Sequence, residues 1–146
     1  KYLSKLEDYL AQNFPANAVR PAIIRAYFAA IEAVKGKHAF WPFKKLSYLN
    51  KSMDSLEAVI ETEPSNLEVR FLRFSILHHL PGILGYSAET QGDAFAILTL
   101  LKRRDYSGLD QNIVTGIAEF LYRSGRISEE NKKELVFLFP GMKTDE

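Results

Sequence analysis

The sequence contains no cysteine, which excludes disulfides, thiolate metal ligands and cysteine nucleophiles. It also lacks any apolar run near the roughly 18 residues that a membrane-spanning helix requires, so we expect a soluble chain with no integral membrane segment. Neither sign of charge dominates, because 19 Lys and Arg residues accompany 18 Asp and Glu residues. The resulting net charge of +1 supplies no overall field for nucleic acid, so any charge-driven binding must be local.

Strict alternation of apolar and polar residues is scarce as well, whereas apolar residues recur every three or four positions along most of the chain. This periodicity predicts an all-α fold of about seven helices. The composition, with 47% hydrophobic and 25% charged residues, is that of a globular protein. A length of 146 residues suits one domain, so we predict a single helical domain over residues 1–146 with a frayed tail after Pro140.

Proline, glycine and capping residues mark the predicted helix boundaries. Gly36 fits a left-handed exit from the second helix, and the segment Pro81–Tyr86 predicts a non-helical elbow after a fourth helix that continues to about Leu80. The predicted buried stripe of the second helix is Ile24, Tyr27, Phe28, Ile31 and Val34. The predicted helix starts are Tyr2, Ala18, Pro42, Asn66, Ser87 or Asp93, Asp110 and Ser128.

Several stretches follow a known helical-repeat pattern. Leu56, Ile60 and Pro64, followed by Ser65, Asn66 and Glu68, resemble the end of one tetratricopeptide helix pair and the start of the next. Residues 41–46, 68–76 and 84–86 are also similar to a group of bacterial proteins with tetratricopeptide-like helices. The resemblance implies an antiparallel, right-handed stack of helices and, by analogy with that superfamily, a protein-binding role.

Two arginines stand out on the fourth helix. A helical wheel places Arg73 among apolar residues and Arg70 beside them. A buried guanidinium requires a partner or access to water. If the third and fourth helices form a hairpin about Pro64, Glu57 and Arg73 lie at equal distances from the turn, which predicts a structural ion pair between them.

The alternative role for these cations is recognition of a carboxylate on a peptide or small molecule. We predict a noncatalytic scaffold that binds a protein or peptide partner. Lys1 in place of an initiating Met is compatible with the removal of an export signal, and we assign no cellular compartment. The candidate ligand-binding residues are Lys44, Lys45, Tyr48, Arg70, Arg73 and Tyr86.

A competing function is a small-ligand or enzyme pocket near the elbow, where Arg70, His78 and Tyr86 would converge. Enzyme activity is the less favoured class, because no nucleophile or carboxylate motif is recognised. His78 and His79 are adjacent, and adjacent residues on a helix point about 100° apart, so they predict no metal site. We therefore expect no metal, no cofactor and no nucleic-acid partner.

Overall fold

A computed structural model describes residues 2–38, 42–106 and 108–144. In these ranges the chain forms seven α-helices and no strand, which confirms the predicted all-α class. None of the helices there combines the length and hydropathy that crossing a bilayer requires. The helices are α1 (Tyr2–Asn13), α2 (Ala22–Lys37), α3 (Pro42–Thr62), α4 (Leu67–Leu77), α5 (Ser87–Arg103), α6 (Gln111–Arg123) and α7 (Glu129–Leu138).

Side-chain caps determine where three of these helices begin. Asn66 accepts a hydrogen bond from the backbone N–H of Val69 at 3.1 Å, and Ser128 accepts one from the N–H of Asn131 at 3.2 Å. Asp110 caps α6 in the same manner. Each cap satisfies an amide that the first turn leaves without an intrahelical partner. The predicted starts of α4, α6 and α7 are confirmed.

The chain divides into two compact units between Pro64 and Ser65. In the first unit, α1 packs against α2, and α2 packs against α3. The buried hydroxyl of Ser52 on α3 donates a hydrogen bond to the carbonyl of Ala29 on α2 at 2.7 Å. A polar side chain is thereby satisfied in the contact between the two helices.

The buried face of α2 differs from the predicted stripe. Of the predicted residues, Ile31 is buried, whereas Val34 is 39% exposed. Alanines take the central positions instead, because their small side chains allow α3 to approach. The buried alanines of α2 are Ala22, Ala26 and Ala29.

Gly36 does not end α2 in a left-handed conformation, so that prediction was wrong. It lies inside the helix, which continues to Lys37. A Cβ at Gly36 would lie 2.9 Å from the Cβ of Tyr48 and 3.3 Å from the carbonyl oxygen of Lys45. Glycine is required here because the backbones of α2 and α3 come close together.

The second unit builds its own core from α4, α5, α6 and α7. Consecutive helices in this unit pack against each other. Phe95 on α5 points away from this core and is 69% exposed. Met142, in the segment predicted to fray, is buried in this core. The largest fully buried side chains of the unit are Phe74, Leu77, Ile97, Leu101, Ile117, Leu121 and Leu135.

The connection between α4 and α5 breaks the helical pattern as predicted, although it contains a short 3-10 turn at Gly82–Leu84. Gly85 follows with φ of 84°, a conformation that glycine adopts without steric cost. The α-helix ends at Leu77, three residues before the predicted end. His78 and His79 therefore belong to the connection rather than to the helix.

Candidate recognition cleft

A buried ion-pair cluster joins α4 to α5. Asp93 accepts a hydrogen bond on Oδ2 from Nε of Arg73 at 2.7 Å and one on Oδ1 from Nη2 of Arg73 at 2.8 Å. Its Oδ1 also accepts from Nη1 of Arg70 at 3.0 Å. Arg73 is only 5% exposed and Asp93 is fully buried. The bidentate geometry is the strong form of this contact, so the cluster holds the two helices together.

Asp93 is the partner that sequence reasoning missed. It was considered only as a possible start of α5, but α5 begins at Ser87 and places Asp93 in its second turn. Asp93 shares a helical face with Ile97 and Leu100, and an acid on an apolar face is the signal that could have identified it. Glu57 lies exposed on α3. The ion pair between Glu57 and Arg73 stays a prediction.

The remaining predicted ligand-binding residues are divided between the two units. Lys44 and Lys45 are exposed near the start of α3, and Tyr48 is half-buried one turn later. Tyr86 is half-buried immediately before α5, and its carbonyl accepts a hydrogen bond from the hydroxyl of Thr90 at 2.6 Å. Convergence of these side chains on one ligand stays a prediction.

The second unit contains a cleft of about 330 Å³, which we call the α4–α6 cleft. One wall comes from the segment after α4 and the other from α6. The α6 residues follow a spacing of three and four, so they lie on one face of the helix. Gly116 widens the cleft because it has no side chain. The lining residues are His78, His79, Gly116, Glu119, Phe120, Arg123 and Ser124.

The ring of Phe120 forms an aromatic surface in this cleft. Its centroid lies 5.6 Å from that of His78 and 6.1 Å from that of His79, both edge to face. Phe71 and Phe74 pack against the same ring at 5.3 and 5.7 Å. These are favourable aromatic geometries, and they hold Phe120 rigidly beside the histidines.

The two histidine rings lie close together. Their centroids are 5.1 Å apart, with the rings inclined at 67° in an edge-to-face arrangement. The N–H of His79 bonds to the carbonyl of Ile76, in a tighter turn than the α-helix that was predicted to continue to Leu80. Among the described residues, no group of three or more His, Asp or Glu side chains could hold a metal ion.

His78 is the electrostatically unusual residue of the cleft. Burial lowers the pKa of His78 below its ordinary value, and the nearby charges of His79 and Arg126 lower it further. Its Nδ1 atom is buried and has no hydrogen-bond partner among the described residues. A buried polar atom without a partner costs free energy.

The charged side chains of α6 hold one residue of the C-terminal segment. Glu119 Oε1 accepts a hydrogen bond from the backbone N–H of Lys143 at 2.8 Å, and Arg123 Nη2 donates to the carbonyl of Lys143 at 3.1 Å. This contact uses one of several N–H groups on the Arg123 guanidinium. Both side chains are thereby held in place at the cleft.

Ser124 is not arranged as a nucleophile. Its hydroxyl donates to the carbonyl of Leu121 at 2.6 Å and accepts from the N–H of Arg126 at 3.2 Å. A nucleophilic serine donates its proton to a general base instead. The cleft therefore offers an aromatic surface and cationic or titratable groups, which suit binding.

No protein-family model, curated protein or solved structure matches this chain. Membership of the tetratricopeptide-like superfamily therefore stays a prediction from the residues that resemble it. What the chain binds has to be inferred from the chemistry of the α4–α6 cleft and from the charges around it.

Proposed function

We propose that this chain is a noncatalytic recognition domain that binds a protein or peptide partner through the α4–α6 cleft. The observation that carries the proposal is that Phe120 and Arg123 line one open cleft. Aromatic and arginine side chains dominate the energetics of protein interfaces. The resemblance to tetratricopeptide-like proteins supports the same class of function by analogy.

The openness of the cleft also favours a peptide. Its volume of about 330 Å³ is that of a small pocket, but small-molecule pockets enclose most of the ligand, whereas this cleft opens to solvent. It can receive one or two side chains of a larger partner. The predicted groove involving Tyr48, Arg70 and Tyr86 is the weaker proposal, because Arg70 already donates to Asp93.

A small carboxylate ligand is the second candidate. His78 and Arg123 favour it, because both residues line the cleft and His78 lies only three residues before Pro81, where the elbow begins. A guanidinium is a good partner for a carboxylate. The two candidates share one site and differ in whether the ligand is a peptide or a free small carboxylate.

Selection from a random peptide library displayed on phage tests the proposed function. We expect wild-type protein to enrich peptides, and Arg123→Ala to weaken their binding at least about tenfold, as for a central interface residue. The matched control is Arg103→Ala, an exposed arginine at the end of α5, which should bind as wild type does. Thermal unfolding verifies that both variants are folded.

Failure to enrich any peptide would contradict the proposal. So would a peptide whose affinity is the same for wild type and Arg123→Ala. Chemical-shift mapping of an enriched peptide gives an independent check, because the perturbed amides should centre on the segments 78–79 and 116–124. Binding of acetate with no peptide binding would favour the small-ligand candidate instead.

A further inference from the structure

The C-terminal segment, residues 142–144, lies against one wall of the α4–α6 cleft. Glu119 and Arg123, which both line the cleft, bond to a single residue of this segment. Glu119 accepts a hydrogen bond from the backbone N–H of Lys143 at 2.8 Å, and Arg123 donates one to the carbonyl of the same residue at 3.1 Å. Two side chains of the cleft therefore satisfy both main-chain polar groups of one residue.

This contact does not use the side chain at position 143. Both bonds involve main-chain atoms of Lys143, and the residue is exposed. The spacing of four places Glu119 and Arg123 one turn apart on the same face of α6. A carboxylate that accepts from an N–H and a guanidinium that donates to a carbonyl are complementary to the main chain of every residue except proline. We call the Glu119 and Arg123 side chains the main-chain clamp.

We propose that the α4–α6 cleft binds the main chain of its partner peptide through the main-chain clamp, and that the C-terminal segment is a tethered competitor for this clamp. This inference rests on the proposed function, because it takes the cleft to be the binding site. It adds the form of the ligand, which is a non-helical peptide segment whose N–H and carbonyl groups are not already paired. On binding, the clamp releases Lys143 and takes a residue of the partner in its place.

The competitor combines a fixed anchor with a contact that can open. Met142 is buried in the core of the second unit, and its N–H donates to the carbonyl of Phe139 at 3.0 Å. The anchor keeps Lys143 within reach of α6, so its effective concentration at the clamp exceeds that of a free peptide. Because Lys143 is exposed, its contact can open without disturbing the core.

Lys143→Pro tests the competition, because proline has no backbone N–H for Glu119 to accept. The probe is a peptide enriched in the library selection. A binding-competent state populated at about 10% raises the apparent Kd about tenfold, so we expect Lys143→Pro to bind the probe at least about fivefold more tightly than wild type does. The matched control is Lys143→Ala, which retains the N–H and the carbonyl and should bind as wild type does.

A second measurement uses the wild-type chain, so it does not depend on how proline affects folding. The amide of Lys143 should be protected from hydrogen exchange in the free protein and should lose that protection when the probe saturates the cleft. N-methylation of the probe, one backbone amide at a time, tests the ligand. At one position it should weaken binding to wild type at least about tenfold, and it should have less effect on binding to Glu119→Ala, which lacks the acceptor.

A Lys143 amide that stays protected at saturation, or equal affinity of wild type and Lys143→Pro, would overturn the competition. Tolerance of every N-methyl substitution would overturn recognition through the main chain. These outcomes are distinct from failure of the proposed function. If library peptides depend on Arg123 but bind wild type and Lys143→Pro equally, the recognition domain stands and the tethered competitor is wrong. If no peptide depends on Arg123, the proposed function fails, and this inference fails with it.

Discussion

Replacing Asp93 with alanine should destabilise the protein severely. The carboxylate is fully buried and accepts hydrogen bonds from Arg73 at 2.7 and 2.8 Å and from Arg70 at 3.0 Å. Deleting one partner of a buried pair costs about 3–5 kcal/mol, because the opposite charge stays buried without it. Whole-protein stabilities are only about 5–15 kcal/mol, so this one carboxylate accounts for a large share.

The loss can be measured by urea and thermal unfolding followed by far-ultraviolet circular dichroism. A chain of this length loses about 4 °C in Tm for each kcal/mol, so we expect Tm to fall by about 12–20 °C. The matched control is Asp105→Ala, which removes an exposed carboxylate just after α5. Its free energy of unfolding should change by no more than about 0.5 kcal/mol.

A double-mutant cycle identifies the cause. Arg73→Met in the Asp93→Ala background removes most of the buried positive charge, so the double variant should be more stable than the sum of the two single losses predicts, by about 2 kcal/mol. Additive losses, or a loss below about 1 kcal/mol for Asp93→Ala, would refute the account of a buried charge pair.

Three other perturbations test separate features. Gly36→Ala should lower the free energy of unfolding by about 1 kcal/mol, because the overpacking against Tyr48 at 2.9 Å exceeds the gain in helix propensity; a higher Tm would contradict the close approach. Arg104 ends α5 with φ of 55°, so Arg104→Gly should stabilise the protein by about 0.5–1 kcal/mol in urea unfolding, and a loss would show that the arginine side chain has a role. Because the pKa of His78 is lowered by folding, its contribution to stability is present above pH about 6.5 and falls as pH decreases toward the folded pKa. His78→Gln should lack that acid-side decrease in the free energy of unfolding, and an unchanged pH profile would exclude the effect.

The contrast between Arg73 and Gly36 shows what a helical wheel can predict. The wheel correctly placed Arg73 on the buried face of α4, because that depends only on the residues within one helix turn. It did not identify Asp93, because the partner lies 20 residues away on another helix. Gly36 was interpreted from its own helix as an end signal, whereas its role comes from the closeness of α3.

The α4–α6 cleft could not have been predicted as a site. Each of its residues has an ordinary local interpretation, and the histidines were assigned to a helix that ends before them. Only the packing within the second unit brings residues 78 and 79 beside residues 116–124. The rotation of α6 about its axis decides which of its side chains line the cleft, and that rotation is set by the core residues on its opposite face.

The sequence alone determined the all-α class of the fold, the approximate number of helices and the starts of α4, α6 and α7. Helical periodicity and capping act over a few residues, so they depend only on the local sequence. The tertiary structure decided the partner of Arg73, the burial of alanines on α2 and the meeting of His78 with Arg123 at one cleft. These depend on which helix faces meet and how closely, and that follows from side-chain packing across distant parts of the chain.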